Sequence, residues 1–335
     1  IVATPATVSI AHIVLLDSAH LQREDVKFKE KRHRKKKRKS PYPYEPLYGV
    51  ADAQKTLELF RPLPLRQRHE LFDGVFVTLR NAGHILGSSF ARIEYGTGDD
   101  HRAVLFSGDV GRDDKPIIDD PARDIDADYV VVESTYGDRL HDEASTQIPD
   151  HLAQVVNDSV KRGGNLLIPS FAVERAHELL YHLNELMLAG RIPPLVTFLD
   201  SPMAVRVTEV FKNHEELFDE EMEARVEEGH SPFEFPTLHL VMETKQSIAI
   251  NQIRGSAIII AGSGCAPAAA SSTTCCTTSS GTSARCCSSA TRRSGPWAGG
   301  SSRATRRSGS TARRGASGPT SSASAVSRPT PTATS

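Results

Sequence analysis

The chain has 335 residues, 24% of them charged, and a formal net charge of −1. It is long enough for two modest domains. No stretch is long and apolar enough to span a bilayer, so no membrane partner is expected. The near-neutral total hides a division: nine Arg in residues 265–335 give that tail +9, which leaves residues 1–264 at −10. Residues 1–264 hold no cysteine, which excludes a disulfide framework there and, with no signal peptide visible, fits a cytoplasmic location.

Val8 to Lys39 is predicted to be helical, with Ile10, Ile13, Val14 and Leu21 near one face. Its end, Lys31 to Lys39, is wholly basic or His and stops at Ser40-Pro41. A solvated helix end accounts for that run at least as well as a phosphate contact through Lys35, Lys36 and Lys37. Ala51 to Phe60 is predicted as a short amphipathic helix, and strands dominate from Gly74 to Gly137. Three apolar runs, Val75 to Leu79, Ala103 to Phe106 and Tyr129 to Val132, each lead into a Gly/Ser-rich turn. Those turns hold His84 (Ala82-Gly83-His84-Ile85-Leu86-Gly87-Ser88), Asp109 (Phe106-Ser107-Gly108-Asp109-Val110-Gly111) and Glu133 (Glu133-Ser134-Thr135-Tyr136-Gly137-Asp138). Strand ends carrying an imidazole and carboxylates suit the rim of a site for zinc or manganese. Taken singly, each is more often a turn residue.

The pattern then changes to alternation. Helices are predicted over His151 to Arg162, Glu174 to Ala189 and Met203 to His214. Strands are predicted over Asn165 to Ile168, Leu195 to Leu199 and Ser256 to Ala261. Such alternation indicates a parallel α/β unit.

Together with Pro169-Ser170-Phe171-Ala172-Val173 and Leu199-Asp200-Ser201-Pro202-Met203-Ala204, the three turn motifs resemble those of metallo-β-lactamase-fold nucleases of the β-CASP group, from Ile1 to about Gly264. The resemblance implies an α/β protein: a partial metallo-β-lactamase αββα sandwich over 1–140 and an inserted parallel α/β cap over 141–264; the low-complexity composition of 265–335 sets that tail apart as unstructured. It implies zinc-dependent hydrolysis of RNA phosphodiester bonds, with two zinc ions in the intact parent enzyme and RNA as partner. A homodimer is left open. By the same resemblance His84 and Asp109 are metal ligands, Asp109 bridging both ions. Glu133 would hydrogen-bond a catalytic His, the competing explanation being a cap on the Ser134-Thr135 turn. Ser170, Arg175 and Ser201 would meet RNA phosphate at helix N-termini, although Ser201 reads better as an N-cap. The family usually has Gly before that Arg; here it is Glu174, which would weaken a phosphate contact. His12, His20, His101, His177, His182 and His239 have no supporting motif and read as surface or packing residues. A DNA-processing nuclease and a non-catalytic RNA-binding subunit of the same fold are the alternatives.

The family's His-x-His-x-Asp-His cluster has no counterpart here, and Ile1 to Thr7 looks like the segment that follows it, so the chain is expected to be an inactive fragment. The tail holds all five cysteines and no Asp, Glu, Lys, His, Leu, Ile or Phe. An Arg-dotted disordered tail is one explanation, and a cysteine module is another that matches no common zinc spacing. The favoured one is an out-of-frame translation. Written with GC-rich codons and shifted by one base, Cys265 to Cys275 can encode Met-Arg-Thr-Gly-Gly-Arg. Likewise Ala325 to Ser335 can encode Gly-Gly-Phe-Ser-Ala-His, both family strings in family order.

Overall fold

The computed structural model describes residues 1–138, 147–253 and 255–262, and the backbone alone of 285–286. The chain divides into a unit Ile1–Thr291 and a unit Arg292–Ser335, the second lying outside the described residues. The first unit opens with β1 (Val2–Ala3) and the long helix α1 (Pro5–Lys35). That helix begins before the predicted Val8 because Thr4 caps it, its hydroxyl accepting from Thr7 N at 3.2 Å, with Pro5 in the first turn. Ala6, Ile10 and Ala19 are buried, but no residue of α1 beyond Ala19 is, and Leu21 is exposed. The basic run therefore sits on an exposed helix end: Lys35 is its last residue, Lys36 its C-cap, and Lys37 turns the chain at φ 52°.

After α2 (Val50–Leu57) and β2 (Arg61–Pro62), which pairs with β1, the chain builds one five-stranded sheet. Its strands are β3 (Arg68–Phe72), β4 (Val75–Asn81), β5 (Ser89–Tyr95), β6 (Arg102–Phe106) and β7 (Tyr129–Val131), lying side by side in that order. The first four are antiparallel; β7 runs parallel to β6. Register separates its two faces. Val77 lies opposite Ile93 and Leu79 opposite Ala91, forming a small core with Leu63. The other face places Phe76 opposite Glu94 and Thr78 opposite Arg92, and there Glu94 takes Arg68 at 3.0 Å and Arg92 at 2.9 Å. All three residues of β7 are exposed. This sheet fits one layer of the expected sandwich.

The second sheet is the parallel α/β unit that the alternation predicts. Helix α3 (Ile148–Lys161) leads to β8 (Leu166–Ser170), α4 (Arg175–Leu188), β9 (Val196–Asp200) and α5 (Pro202–Lys212). Then come α6 (Glu220–Glu227), β10 (Leu238–Val241), α7 (Thr244–Ile250) and β11 (Ala257–Gly262). The strand order is β10-β9-β11-β8, all parallel. A sheet covered on both faces needs unbroken apolar strands, and Leu166 to Ile168 and Ala257 to Ala261 are buried throughout. Alternate residues feed opposite cores: Leu166, Ile168, Ile258 and Ile260 join one, Leu167, Ile259 and Ala261 the other, with Val241 and Ile250. The tail, expected to have no fold, is described only at β12 (Arg285–Cys286), which pairs parallel with Leu166–Leu167. The rest of the tail lies outside the described residues.

The two sheets share a core. One apolar cluster takes Ala6 and Ile10 from α1, Leu86 from the β4–β5 turn, Ile117 and Ile118 from the β6–β7 loop, and the larger core of the α/β unit. Two glycines permit this joint. Gly87, at φ 76°, passes so close to α1 that a Cβ would lie 2.7 Å from Ala6 Cβ and 2.9 Å from Thr7 N. Gly111 donates to Ala82 O at 2.8 Å, and a Cβ there would fall 2.1 Å from the Gly83 carbonyl. Backbone must move for any side chain at Gly111, so Gly111→Ala is expected to cost about 1–3 kcal/mol in chemical denaturation. An unchanged denaturation midpoint and slope would show that the two loops do not touch there.

Candidate metal centre

His84 and Asp109 come together. His84 Nε2 lies 3.8 Å from Asp109 Oδ2, and both side chains face solvent, 44% and 73% exposed. That spacing is within the roughly 4 Å that two donors, each ~2.1 Å from one ion, can span. The pair fits one edge of a metal site. Among the described residues no group of three His, Cys, Asp or Glu converges on a common point.

Glu133 does two jobs at this rim. Its Oε2 accepts from Thr135 N at 3.3 Å, the turn cap, and its Oε1 accepts from Val110 N at 3.0 Å, next to Asp109. Ser107 ties the same two loops, donating its N–H to Val131 O and accepting at its hydroxyl from Glu133 N. Hydrogen bonds from the Thr135 side chain first, then from the Val110 and Thr135 amides, hold the Glu133 carboxyl below its ordinary range. An ionised carboxylate here fixes the backbone on either side of it.

The turn that presents His84 is built for rigidity. Ser88 Oγ accepts from His84 N and Ile85 N at 3.1 and 3.2 Å. Thr4 and Thr7 hydroxyls both donate to Gly87 O, at 2.6 and 2.8 Å. The side chain of Leu86 is 1% exposed. Two further contacts were not legible in the sequence. Lys115 Nζ donates to His84 O at 2.7 Å, and Leu86 N donates to Glu174 Oε2 at 3.0 Å. Lys115 also lies 3.5 Å from Glu174 Oε1 and 3.2 Å from Glu178 Oε1, with all three side chains at least 92% buried. Arg175 pairs with Glu178 from the solvent side. The only signal for this cluster was the departure at Glu174, with Glu178 four residues on along the same helix face; Lys115, in an acidic loop, gave none.

Glu174 does not weaken a phosphate contact by pointing at it; its carboxylate points inward. It is the centre of a γ-turn, φ 64° and ψ −64°, closed by Arg175 N donating to Val173 O at 2.8 Å. That conformation is strained for any residue but glycine, at about 1–3 kcal/mol. Asp114 (φ 56°) and Ile117 (φ 85°) carry similar strain on either side of Lys115. Of the other expected RNA contacts, Ser170 is 2% exposed and Ser201 caps α5, accepting from Ala204 N at 3.3 Å. Both line a tight crevice with Phe171 and Gly262 at the carboxyl ends of β8, β9 and β11. Arg175 is 45% exposed. His177 is a packing residue, stacked 4.2 Å from Phe211 and bonded to Thr208; burial lowers its pKa to about 3.

Residues 176–273 match the family model described as the Beta-Casp domain. Ribonuclease TTHA0252 of Thermus thermophilus is 36% identical over 220 residues, 66% of this chain and 49% of that protein. Transcription termination factor FttA of Methanosarcina mazei is 30% identical over 65% of this chain and 34% of its own length. Cleavage and polyadenylation specificity factor subunit 3 of Dictyostelium discoideum is 28% identical over 65% and 27%. The chain thus spans half or less of the length of these relatives.

Burial raises the pKa of Glu174 from 4.5 to about 7, against the opposing pull of Lys115. The folded state therefore binds this proton more tightly than the unfolded chain does. The stability it contributes is full below pH 4.5 and is lost as pH rises through about 7. Glu174→Gln has no such proton, so its stability relative to the parent should grow over that window by on the order of 2–3 kcal/mol. Denaturation at pH 5 and pH 8 measures it; a pH-independent difference would place the carboxyl in water.

Proposed function

Because the chain belongs to the β-CASP group of metallo-β-lactamase-fold proteins, we propose that it is part of an RNA-hydrolysing enzyme that requires two zinc ions when full-length. The observation that supports this most is the meeting of His84 and Asp109 at 3.8 Å beside the Glu133 turn. Two strand ends bring His84 and Asp109 together, and Glu133 at a third strand end hydrogen-bonds the Asp109 loop. The described residues supply one edge of that site, so no catalytic step is assigned to a metal in this chain. Their contribution is positional: Ser88, Gly111 and Glu133 hold the two donor loops in register. Cytoplasmic location, the division into sandwich (1–140) and cap (141–264), and a one-base frame shift at the start of the tail are parts of the same proposal.

Labelled RNA and labelled single-stranded DNA of one sequence, incubated with the 335-residue chain and with the full-length protein, test it. The full-length protein should cut RNA, lose activity to a chelator and regain it with zinc; the 335-residue chain should cut neither. Cleavage of DNA in preference would favour the DNA-processing alternative. Binding of RNA without cleavage by the full-length protein would favour the non-catalytic subunit.

The basic end of α1 is the proposed RNA contact outside the rim. Lys35, Lys36 and Lys37 are exposed, and Arg34, Arg38 and Lys39 line a groove of about 360 Å³ with Glu30, Ser40 and Tyr44. Basic side chains at a helix C-terminus also favour the helix dipole, which by itself explains Arg32 to Lys35. Binding separates the two. Replacing Lys35, Lys36 and Lys37 by Ala should reduce the slope of log affinity against log salt for single-stranded RNA by about 2. An unchanged slope would leave the run as a solvated helix end.

A further inference from the structure

We propose that Glu174, acting with Lys115, is a positioning residue that holds the His84 turn from the α/β unit. The proposal deepens the metal reading above, because His84 is the donor being placed. It rests on four features of this chain.

Contact comes first. Glu174 Oε2 accepts from the Leu86 N–H at 3.0 Å, and Lys115 Nζ donates a hydrogen bond to the His84 carbonyl at 2.7 Å. The same ammonium lies 3.5 Å from Glu174 Oε1 and 3.2 Å from Glu178 Oε1, within ion-pair distance of both. One backbone group of the turn is thereby fastened to the α/β unit and a second to the β6–β7 loop.

Burial comes second. Glu174 Oε1 and Glu178 Oε1 are buried and make no hydrogen bond among the described residues, so Lys115 supplies their compensation. Buried charge is usually avoided unless a specific geometry needs it.

Strain is the third feature. Glu174 stands at φ 64°, where glycine fits freely, and Ile117 and Asp114 bracket Lys115 at φ 85° and 56°. A carboxylate kept at a position suited to glycine is kept for what its oxygens touch.

Direction is the fourth. Arg175, Glu174 and Glu178 stand at the start of α4, directly after β8 and its Ser170, while Leu86 and Lys115 sit on loops of the other sheet. The α4 start thus meets the turn carrying His84 directly through the Glu174–Leu86 hydrogen bond, and indirectly through the ion pairs to Lys115, which itself donates to His84 O.

Hydrogen–deuterium exchange of the metal-free 335-residue chain tests this. Glu174→Gly relieves the strained φ and removes the acceptor, so a positioning role and a purely structural role predict different results. We expect the Leu86 amide to exchange about tenfold faster, with the amides of β4 and β8 unchanged. Glu174→Gln, which keeps an acceptor for the Leu86 N–H, should restore slow exchange at that amide. A Leu86 amide exchanging at the parent rate in Glu174→Gly, with α4 still protected, overturns the proposal. So does acceleration spread evenly over both sheets. Because no metal enters the experiment, the clamp can fail while the full-length protein still needs zinc, and the zinc requirement can fail while the clamp stands.

Discussion

Leu86 is inserted into a core that is not its own, and the candidate site follows from that placement. The turn between β4 and β5 belongs by sequence to the antiparallel sheet, yet its Leu86 side chain lies with Ala6, Ile10, Ile117 and the residues of α4 and α5. Burying a leucine completely is worth about 2–3 kcal/mol, enough to fix one turn but not to aim it. Aim comes from polar contacts around the leucine: Ser88 inside the turn, Thr4 and Thr7 from α1, Lys115 and Glu174 from beyond. The imidazole of His84 is thus an exposed group on an immobilised base. That is the usual arrangement for a side chain whose task is to meet a ligand rather than to stabilise the fold.

The polar part of this joint is expensive. Glu174, Glu178 and Lys115 are three ionisable groups almost entirely removed from water. Replacing such a cluster with well-packed apolar residues is often neutral or stabilising, whereas removing one partner leaves an uncompensated buried charge. The γ-turn at Glu174 adds backbone strain to the desolvation cost. Both costs fall at one place, between the sheet that carries His84 and Asp109 and the unit that matches the β-CASP model. Strain and buried charge concentrated beside a candidate site are more informative than either would be in the middle of a core.

How much of this was legible depended on which features are local. The parallel α/β unit was legible because its strands are continuous apolar runs separated by helices of ordinary length, and each expected element appears within a few residues of its place. The helix start at Thr4-Pro5 was available from capping rules, although the periodicity pointed to Val8. Strand β3 and the elements α6, β10 and α7 were not legible: Arg68 to Phe72 alternates charge with half-buried residues, and Leu238 to Val241 is too short to show a period. In the site, the His84 and Asp109 turns stood out through their glycines, and Glu133 kept both of its proposed roles open. Lys115 was invisible because nothing in Asp113-Asp114-Lys115-Pro116 distinguishes a buried lysine from a solvated one. Only the fold brings it against a carboxylate nearly sixty positions away. Glu174 was noticed for the wrong consequence: as a charge at a helix start it was expected to face a phosphate, whereas the turn geometry rotates it inward.

Charge distribution gives the remaining step. Residues 1–264 carry −10, and the rim itself exposes Asp109 and lies beside the ionised Glu133. A polyanion approaching such a rim meets repulsion unless cations are present, which a charged metal site would supply and this donor pair alone does not. The exposed end of α1 is the one long cationic run in residues 1–264, and α1 connects directly to the site, since Thr4 and Thr7 at its start hold Gly87. On the proposed function the two ends of one helix therefore serve different needs. The far end supplies long-range, salt-sensitive attraction for phosphate, which carries no geometry. The near end supplies geometry at His84 and no charge. An acidic body is compatible with a nucleic-acid substrate on these terms, because attraction and alignment are assigned to separate parts of the chain.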